Sequence, residues 1–355
     1  MVSTLKIYLG KLFLQQWIFL AVGFLSLILI LDVMSNSDAL VDLPNTAIAN
    51  IFTYMYLRAP IVFVRIFPFT VVLAILISFM SLTRRLELVA MSGVGMSQIN
   101  LLTALVPIGL LVGGLHFIID DQLSTRATSA LKTWGIGDYA PSGGSGAPQS
   151  TWIRFQDRTL KIGLIARPSE LHDIKVFLRD DRGIVVEMVQ AKRAIFRNDS
   201  WHLQDEVRAV VPGADRSAAP AEVLEGLDPE LIRTLQADPD ELDFITLTSV
   251  LSQAEATSKP AYIYELEIHR RIAQPMFVIV VFLLIIPLFQ RFDRREGTVA
   301  ILFGGVGVSF VFFTFDNLMM ALGEAGQLPA ILAAWAGIAL FSIIGAYMTI
   351  SKQVL

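Results

Sequence analysis

Six long runs of apolar side chains dominate the chain, at roughly 12–32, 61–82, 99–119, 272–289, 299–322 and 328–350. A helix needs about 20 predominantly apolar residues to cross the hydrocarbon core of a bilayer, and each run meets or approaches that length. The runs fall into two groups of three. Between them, over roughly 120–271, the pattern changes to the period of two that marks half-buried strands. Thr159-Leu160-Lys161-Ile162 alternates polar and apolar, and Asp173-Ile174-Lys175-Val176 does the same before running on into Phe177-Leu178. Ile184-Val185-Val186, Ala194-Ile195-Phe196, Trp201-His202-Leu203 and Val207-Arg208-Ala209-Val210 follow, divided by turn residues such as Asp180-Asp181-Arg182-Gly183 and Asn198-Asp199-Ser200. Short strands at this spacing predict an antiparallel sandwich or open barrel. Pro141 to Pro148 reads as a flexible tether into this sheet. Residues 221–256 read as helical and loop-rich, broken by Pro229 and Pro239, with a short helix over Leu247 to Ala256 returning the chain to the fourth run. The predicted fold class is a membrane α-helical protein with six transmembrane helices in a 3+3 arrangement and an inserted all-β domain. Helices 1–3 lie within 1–119, the β domain within 120–271, and helices 4–6 within 272–355.

Composition agrees with the pattern. Of 355 residues, 54% are hydrophobic and 17% charged, whereas a soluble domain carries about 25% charge. Such a chain cannot cover itself with polar surface, and it is too apolar for intrinsic disorder. The net charge of −4 leaves no electrostatic footprint for nucleic acid. The absence of cysteine removes disulfides, thiolate metal sites and cysteine nucleophiles. The first run, Leu12 to Leu31, is long for a signal peptide, and Asp32-Val33-Met34-Ser35-Asn36 is a poor cleavage site, so it reads as a retained span.

Basic residues in short loops set the expected orientation. Lys6, Lys11, Arg84, Arg85, Arg291, Arg294, Arg295 and Lys352 all fall on one side, and only Arg58 and Arg65 on the other. Both termini are therefore expected in the cytoplasm and the middle domain outside. That domain holds 18 of the 28 Lys and Arg residues, but a long translocated domain is exempt from the charge rule.

The chemistry is mostly a set of absences. There is no GxxxxGK[ST], no HExxH and no GxSxG, and His116, His172, His202 and His269 have no ligand spacing. No catalytic or metal site is expected. Two acids sit in or beside apolar runs, Asp32 after the first and Asp316 inside the fifth. Intramembrane acids are functional candidates by default. They could form a protease dyad or proton relay, or Asp32 could lie at the outer interface while Asp316 faces a cavity or a neighbouring helix. No GxGD pattern surrounds either.

The stretch Thr83-Arg84-Arg85-Leu86-Glu87-Leu88-Val89-Ala90-Met91-Ser92-Gly93-Val94-Gly95 is more informative. It predicts a short helix over about 83–93, stopped by Gly93 and Gly95. It is too apolar for a free cytoplasmic loop, which marks a docking site, with Glu87 available to a basic group on a partner. The alternative is a helix lying at the membrane interface with Arg84 and Arg85 on lipid phosphates.

The chain resembles the LptF/LptG permeases, the membrane subunits of the lipopolysaccharide exporter, and lies nearer the LptG branch. The resemblance rests on Arg85-Leu86-Glu87-Leu88-Val89-Ala90-Met91-Ser92-Gly93, on Tyr264-Glu265-Leu266-Glu267-Ile268-His269-Arg270-Arg271 leading to Pro275, and on Pro287. Gly297, Gly326-Gln327-Leu328-Pro329 and Trp335 complete it, within the order of three spans, β domain and three spans. It implies a second homologous permease, a cytoplasmic ABC ATPase dimer that binds the ATP, and lipopolysaccharide passing through a periplasmic β-jellyroll toward jellyroll transfer proteins. By the same resemblance the protein lies in the bacterial inner membrane, and Arg85, Leu86, Glu87, Val89 and Met91 contact the ATPase. LptG-like chains often carry basic residues just after span 1, but here the stretch reads Asp32-Val33-Met34-Ser35-Asn36-Ser37-Asp38. Arg58 and Arg65 are then the nearest candidates for lipid phosphate, with Asp32 and Asp316 the other polar groups of the lipid path; the alternative is that both arginines snorkel to ordinary phospholipid head groups or pair with Asp32, Asp38 or Asp42. Seven residues apart, the two arginines share one helix face if the helix begins by Arg58, with Pro60 in its first turn and Pro68 kinking it. The competing readings are a permease of another envelope ABC system, an aspartyl protease using Asp32 and Asp316, and a sensor or scaffold.

Overall fold

A computed structural model describes residues 2–41, 43, 46–93, 95–136, 151–155, 158–167, 169–179, 184–197, 199–210, 224, 226–227, 229–252, 260–291 and 297–351. The chain divides into two compact units, Met1–Ala140 with Glu265–Leu355, and Pro141–Tyr264.

The first unit is helical. In chain order it holds α1 (Val2–Ser35), α2 (Ser37–Val41), α3 (Ala47–Arg84), α4 (Glu87–Gly93), α5 (Gln98–Ile118), a π-helical turn (Ile119–Ser124), α6 (Thr125–Trp134), α9 (Ala261–Arg291, whose first residues belong to the other unit), α10 (Gly297–Glu324) and α11 (Ala330–Ile350). Six of these helices, with α5 and α6 continuous through the π turn, are long and apolar enough to cross a membrane. The helices overrun the apolar runs. α3 begins at Ala47 rather than near Arg58, so Pro60 and Pro68 both sit in its interior. The third helix continues to Trp134, which carries residues 120–136 into the helical unit rather than the middle domain. Hydropathy marks the depth of the hydrocarbon, whereas backbone hydrogen bonding continues for as long as a helix finds packing partners.

The largest apolar cluster among the described residues joins α1, α3, α5 and α9, with smaller clusters around Leu40 and Leu131, Leu266 and Ala333, and Leu29 and Val62. Phe13 and Trp17 of α1 meet Phe67, Val71, Ile75 and Phe79 of α3, Leu105 and Val112 of α5, and Val278, Phe282 and Ile285 of α9. Aromatic edges order the seam: the rings of Phe13 and Phe282 pack perpendicular at 5.1 Å, a geometry favoured by their quadrupoles. Among the six, α9 is the most enclosed and α1 the most open.

The second unit contains an antiparallel sheet of six strands: β1 (Thr151–Phe155), β2 (Arg158–Arg167), β3 (Glu170–Arg179), β4 (Val185–Arg197), β5 (Ser200–Gln204) and β6 (Val207–Val210). The order β1-β2-β3-β4-β5 is a meander, and β6 also pairs with β4. β5 and β6 hold one register against β4, interrupted only at Asp205 and Glu206, where Asp205 has a positive φ. The two strands expected at Ile184 and Ala194 are halves of the single strand β4, and β1 had no expectation in the sequence. One face is sealed: Leu160, Ile162, Leu171, Ile174, Val176 and Leu178 are all buried. After the sheet come α7 (Pro229–Gln236) and α8 (Phe244–Ser252). Trp201 donates its indole N–H to the Leu227 carbonyl, tying this return segment to β5. The expected tether over Pro141 to Pro148 lies outside the described residues.

Candidate functional site

The loop after the second span folds as a short platform. α3 ends at Arg84, and the turn at Arg85 and Leu86 is closed by N–H donation from Arg85 to the Ser81 carbonyl and from Leu86 to the Thr83 carbonyl, both 3.1 Å. Leu86 has φ of +62°, a left-handed conformation that costs a side-chain-bearing residue about 1–2 kcal/mol. The turn redirects the chain into α4, whose register sorts its residues. Leu88 and Met91 are buried in the helical core, while Leu86 and Val89 are 56% and 47% exposed. Arg84 and Arg85 are exposed and Glu87 is half-buried. Glu87 accepts a hydrogen bond from the Tyr8 hydroxyl of α1 at 2.7 Å. Of the five residues expected at a docking surface, Arg85, Leu86 and Val89 are exposed, and Glu87 is half-buried on the side of α4 that also carries Met91, four residues on. Met91 is the correction: it turns inward and anchors α4, because the helical period that exposes Val89 places Met91 on the opposite face.

The polar groups at the other end of the spans are arranged in pairs. Arg58 is buried, and its Nε lies 2.6 Å from Asp32 Oδ2. The same carboxylate oxygen accepts from the Tyr54 hydroxyl at 3.1 Å, and Asn36 donates to that hydroxyl and to the Asp32 carbonyl. Arg58 and Asp32 thus engage one another, binding the end of α1 to α3. Arg65 differs. It is exposed and makes no ion pair or side-chain hydrogen bond among the described residues. The two arginines are not equivalent on one face, since α1 covers the first and not the second. Asp316 is half-buried in α10, against Gly337 of α11, where a Cβ would come within 2.6 Å of its Oδ1. No hydrogen bond joins Asp316 to Asp32, and a carboxylate committed to an arginine is unsuited to a shared-proton dyad.

One charged constellation went unnoticed in the sequence. The π turn carries Asp120 and Asp121, both buried. Arg271 of α9, 2% exposed, donates from Nη1 to Asp121 Oδ1 at 2.7 Å and from Nε to Glu267 Oε1 at 3.0 Å. Arg270 grips Glu267 with two bonds of 2.7 Å. His116, one turn before the π segment, is buried with its ring tilted against Phe67 at a centroid distance of 4.1 Å. The signal was available as two adjacent acids ending an apolar run, and a Glu followed by Arg at i+3 and i+4 opening the next group. A π turn inside a helix is itself a frequent mark of function.

Two open grooves in this unit are lined by apolar side chains and glycine. One, of about 360 Å³, runs over Leu284, Gly304, Gly307 and Phe341. The other, of about 320 Å³, runs over Gly113, Phe117, Pro275 and Met276. Such walls suit hydrocarbon and not a polar head.

The family model described as lipopolysaccharide export system permease LptF/LptG matches residues 7–351. The chain belongs to the LptF/LptG permease family. The lipopolysaccharide export system permease protein LptG of Escherichia coli strain K12 is 21% identical over 298 residues, 81% of each chain. The LptG of Haemophilus influenzae is 22% identical over 286 residues, 76% of each chain. The LptF/LptG match spans both groups of helices and the sheet between them, so six spans with an inserted β domain describe one family unit. The family is one of transport permeases, multi-pass in the inner membrane, and not of proteases.

Proposed function

We propose that this chain is one permease of an ABC-type lipopolysaccharide exporter, powered by ATP that a separate cytoplasmic ATPase dimer binds and hydrolyses. The observation that carries this reading is α4. A chain with no P-loop carries a short helix whose inner residues Leu88 and Met91 are locked in the core while Arg85, Leu86 and Val89 are exposed and Glu87 lies half-buried at the margin. An apolar patch rimmed by charge suits a protein partner. Membership in the LptF/LptG family supports the same assignment. A second homologous permease completes the pair across the membrane. Both termini and α4 face the cytoplasm, and the β domain lies in the periplasm, where it hands lipopolysaccharide to a jellyroll bridge. The lipid is drawn sideways from the outer leaflet of the inner membrane. Arg65, exposed and without an ion pair among the described residues, is a cation available to its phosphates, and the apolar helix walls take its acyl chains.

Co-purification tests the assignment. A tagged chain in mild detergent should retain a P-loop ATPase and a second six-span permease. Glu87→Lys, which reverses a charge on the docking surface, should deplete the ATPase severalfold and leave the second permease bound. Recovery without an ATPase would overturn the reading. Orientation is checked with single cysteines in this cysteine-free chain: an impermeant thiol reagent added outside should label Lys192→Cys and not Ala90→Cys.

A further inference from the structure

We infer that Tyr8 is a positioning residue for the ATPase step, holding Glu87 ready at the docking surface and tying it to α1. The inference rests on the docking role proposed for α4. The Tyr8 hydroxyl donates to Glu87 Oε2 at 2.7 Å across 79 residues of chain. A hydroxyl donating to a carboxylate is among the stronger hydrogen bonds.

The bond is preset by what flanks it. Leu9, next to Tyr8, and Leu88, next to Glu87, are 2% and 7% exposed and belong to the same buried cluster, with Phe13 and Met91 one turn further along. Both backbones are therefore fixed on either side of the contact. The left-handed Leu86 turn fixes the approach of α4 as well. Glu87 Oε1 accepts no hydrogen bond among the described residues, so one carboxylate oxygen is tethered and the other is left for a cationic group of the partner. A glutamate held in one rotamer loses less freedom when its partner arrives.

The same contact gives α1 a handle. Its long outer face, with Ile18, Phe19, Val22, Leu27, Ile30 and Leu31, is exposed along the membrane side. Polar attachments stand at both of its ends: Tyr8 to Glu87 at one, and Asp32 to Arg58 and Tyr54 at the other. With Glu87 held through binding, the near end of α1 stays joined to α4, as Asp32 keeps the far end joined to α3.

The test is a double-mutant cycle on the permease pair in nanodiscs titrated with purified ATPase. Tyr8→Phe keeps the ring, so packing is spared and only the hydroxyl is lost. It should weaken ATPase binding about fivefold, the net worth of one side-chain hydrogen bond. In a Glu87→Ala background the same change should have no effect. An equal loss in both backgrounds means that the Tyr8 hydroxyl acts through another group, such as Arg85, and overturns the inference. So does wild-type affinity for Tyr8→Phe where Glu87→Ala is impaired. Wild-type affinity for Glu87→Ala itself would instead overturn the docking role of Glu87.

Discussion

The Arg271 guanidinium lies 2.7 Å from the Asp121 carboxylate, closing a buried bridge across 150 residues. Arg271 also reaches Glu267, so one planar fork serves a carboxylate on its own helix and another on the π turn. The fork shape matters: five N–H donors in fixed directions can meet two carboxylates where an ammonium meets one.

Breaking this bridge from one side strands a buried charge. Arg271→Met should lower stability by about 3–5 kcal/mol, read as thermal unfolding of the purified protein in nanodiscs. Arg271→Lys should recover only part of the loss. Adding Asp121→Asn to Arg271→Met should recover some stability, because the stranded charge is then removed. A single mutant as stable as the wild type would mean the network is not formed in the folded protein.

The close approach of α5 to α9 depends on Gly113. A Cβ there would lie 2.6 Å from the Pro275 carbonyl oxygen, a backbone atom that cannot step aside. At Gly305, on α10, the obstacle is the Leu76 side chain, whose methyl groups can rotate. Gly113→Ala should therefore lower the melting temperature clearly more than Gly305→Ala. Equal shifts would show that α5 can move away from α9 without loss.

Leu86 occupies a backbone conformation that glycine adopts freely. Leu86→Gly should relieve about 1 kcal/mol of strain, raising or preserving thermal stability, while removing an exposed apolar contact and weakening ATPase binding. A variant with lower stability and intact binding would place Leu86 in the core and not on the docking surface.

The two outer arginines should separate in experiment. Arg65→Ala should reduce photocrosslinking of lipopolysaccharide to this chain and leave its stability unchanged. Arg58→Ala should lower stability, because it leaves the Asp32 carboxylate in a site where its cation has been lost. Unchanged crosslinking for Arg65→Ala would assign the phosphate contacts to the other permease.

The number of spans, the inserted sheet and the short helix after span 2 were all legible in the sequence. Each is a local property: twenty apolar residues or an alternation of two can be read along one dimension. The exposure of Arg85, Leu86 and Val89 was legible, since the segment is short and its period plain. Tertiary structure alone decided the rest. Sequence leaves Arg58 between lipid phosphate and pairing with Asp32, Asp38 or Asp42 until α1 lays Asp32 against it, and Met91 reads as exposed until the turn at Leu86 sets the face of α4. Tyr8 and Glu87, like Arg271 and Asp121, are distant in sequence and adjacent only because helices pack. A charge in a low-dielectric interior takes its role from the groups that reach it, and which groups those are is settled by the packing of helices far apart in the chain.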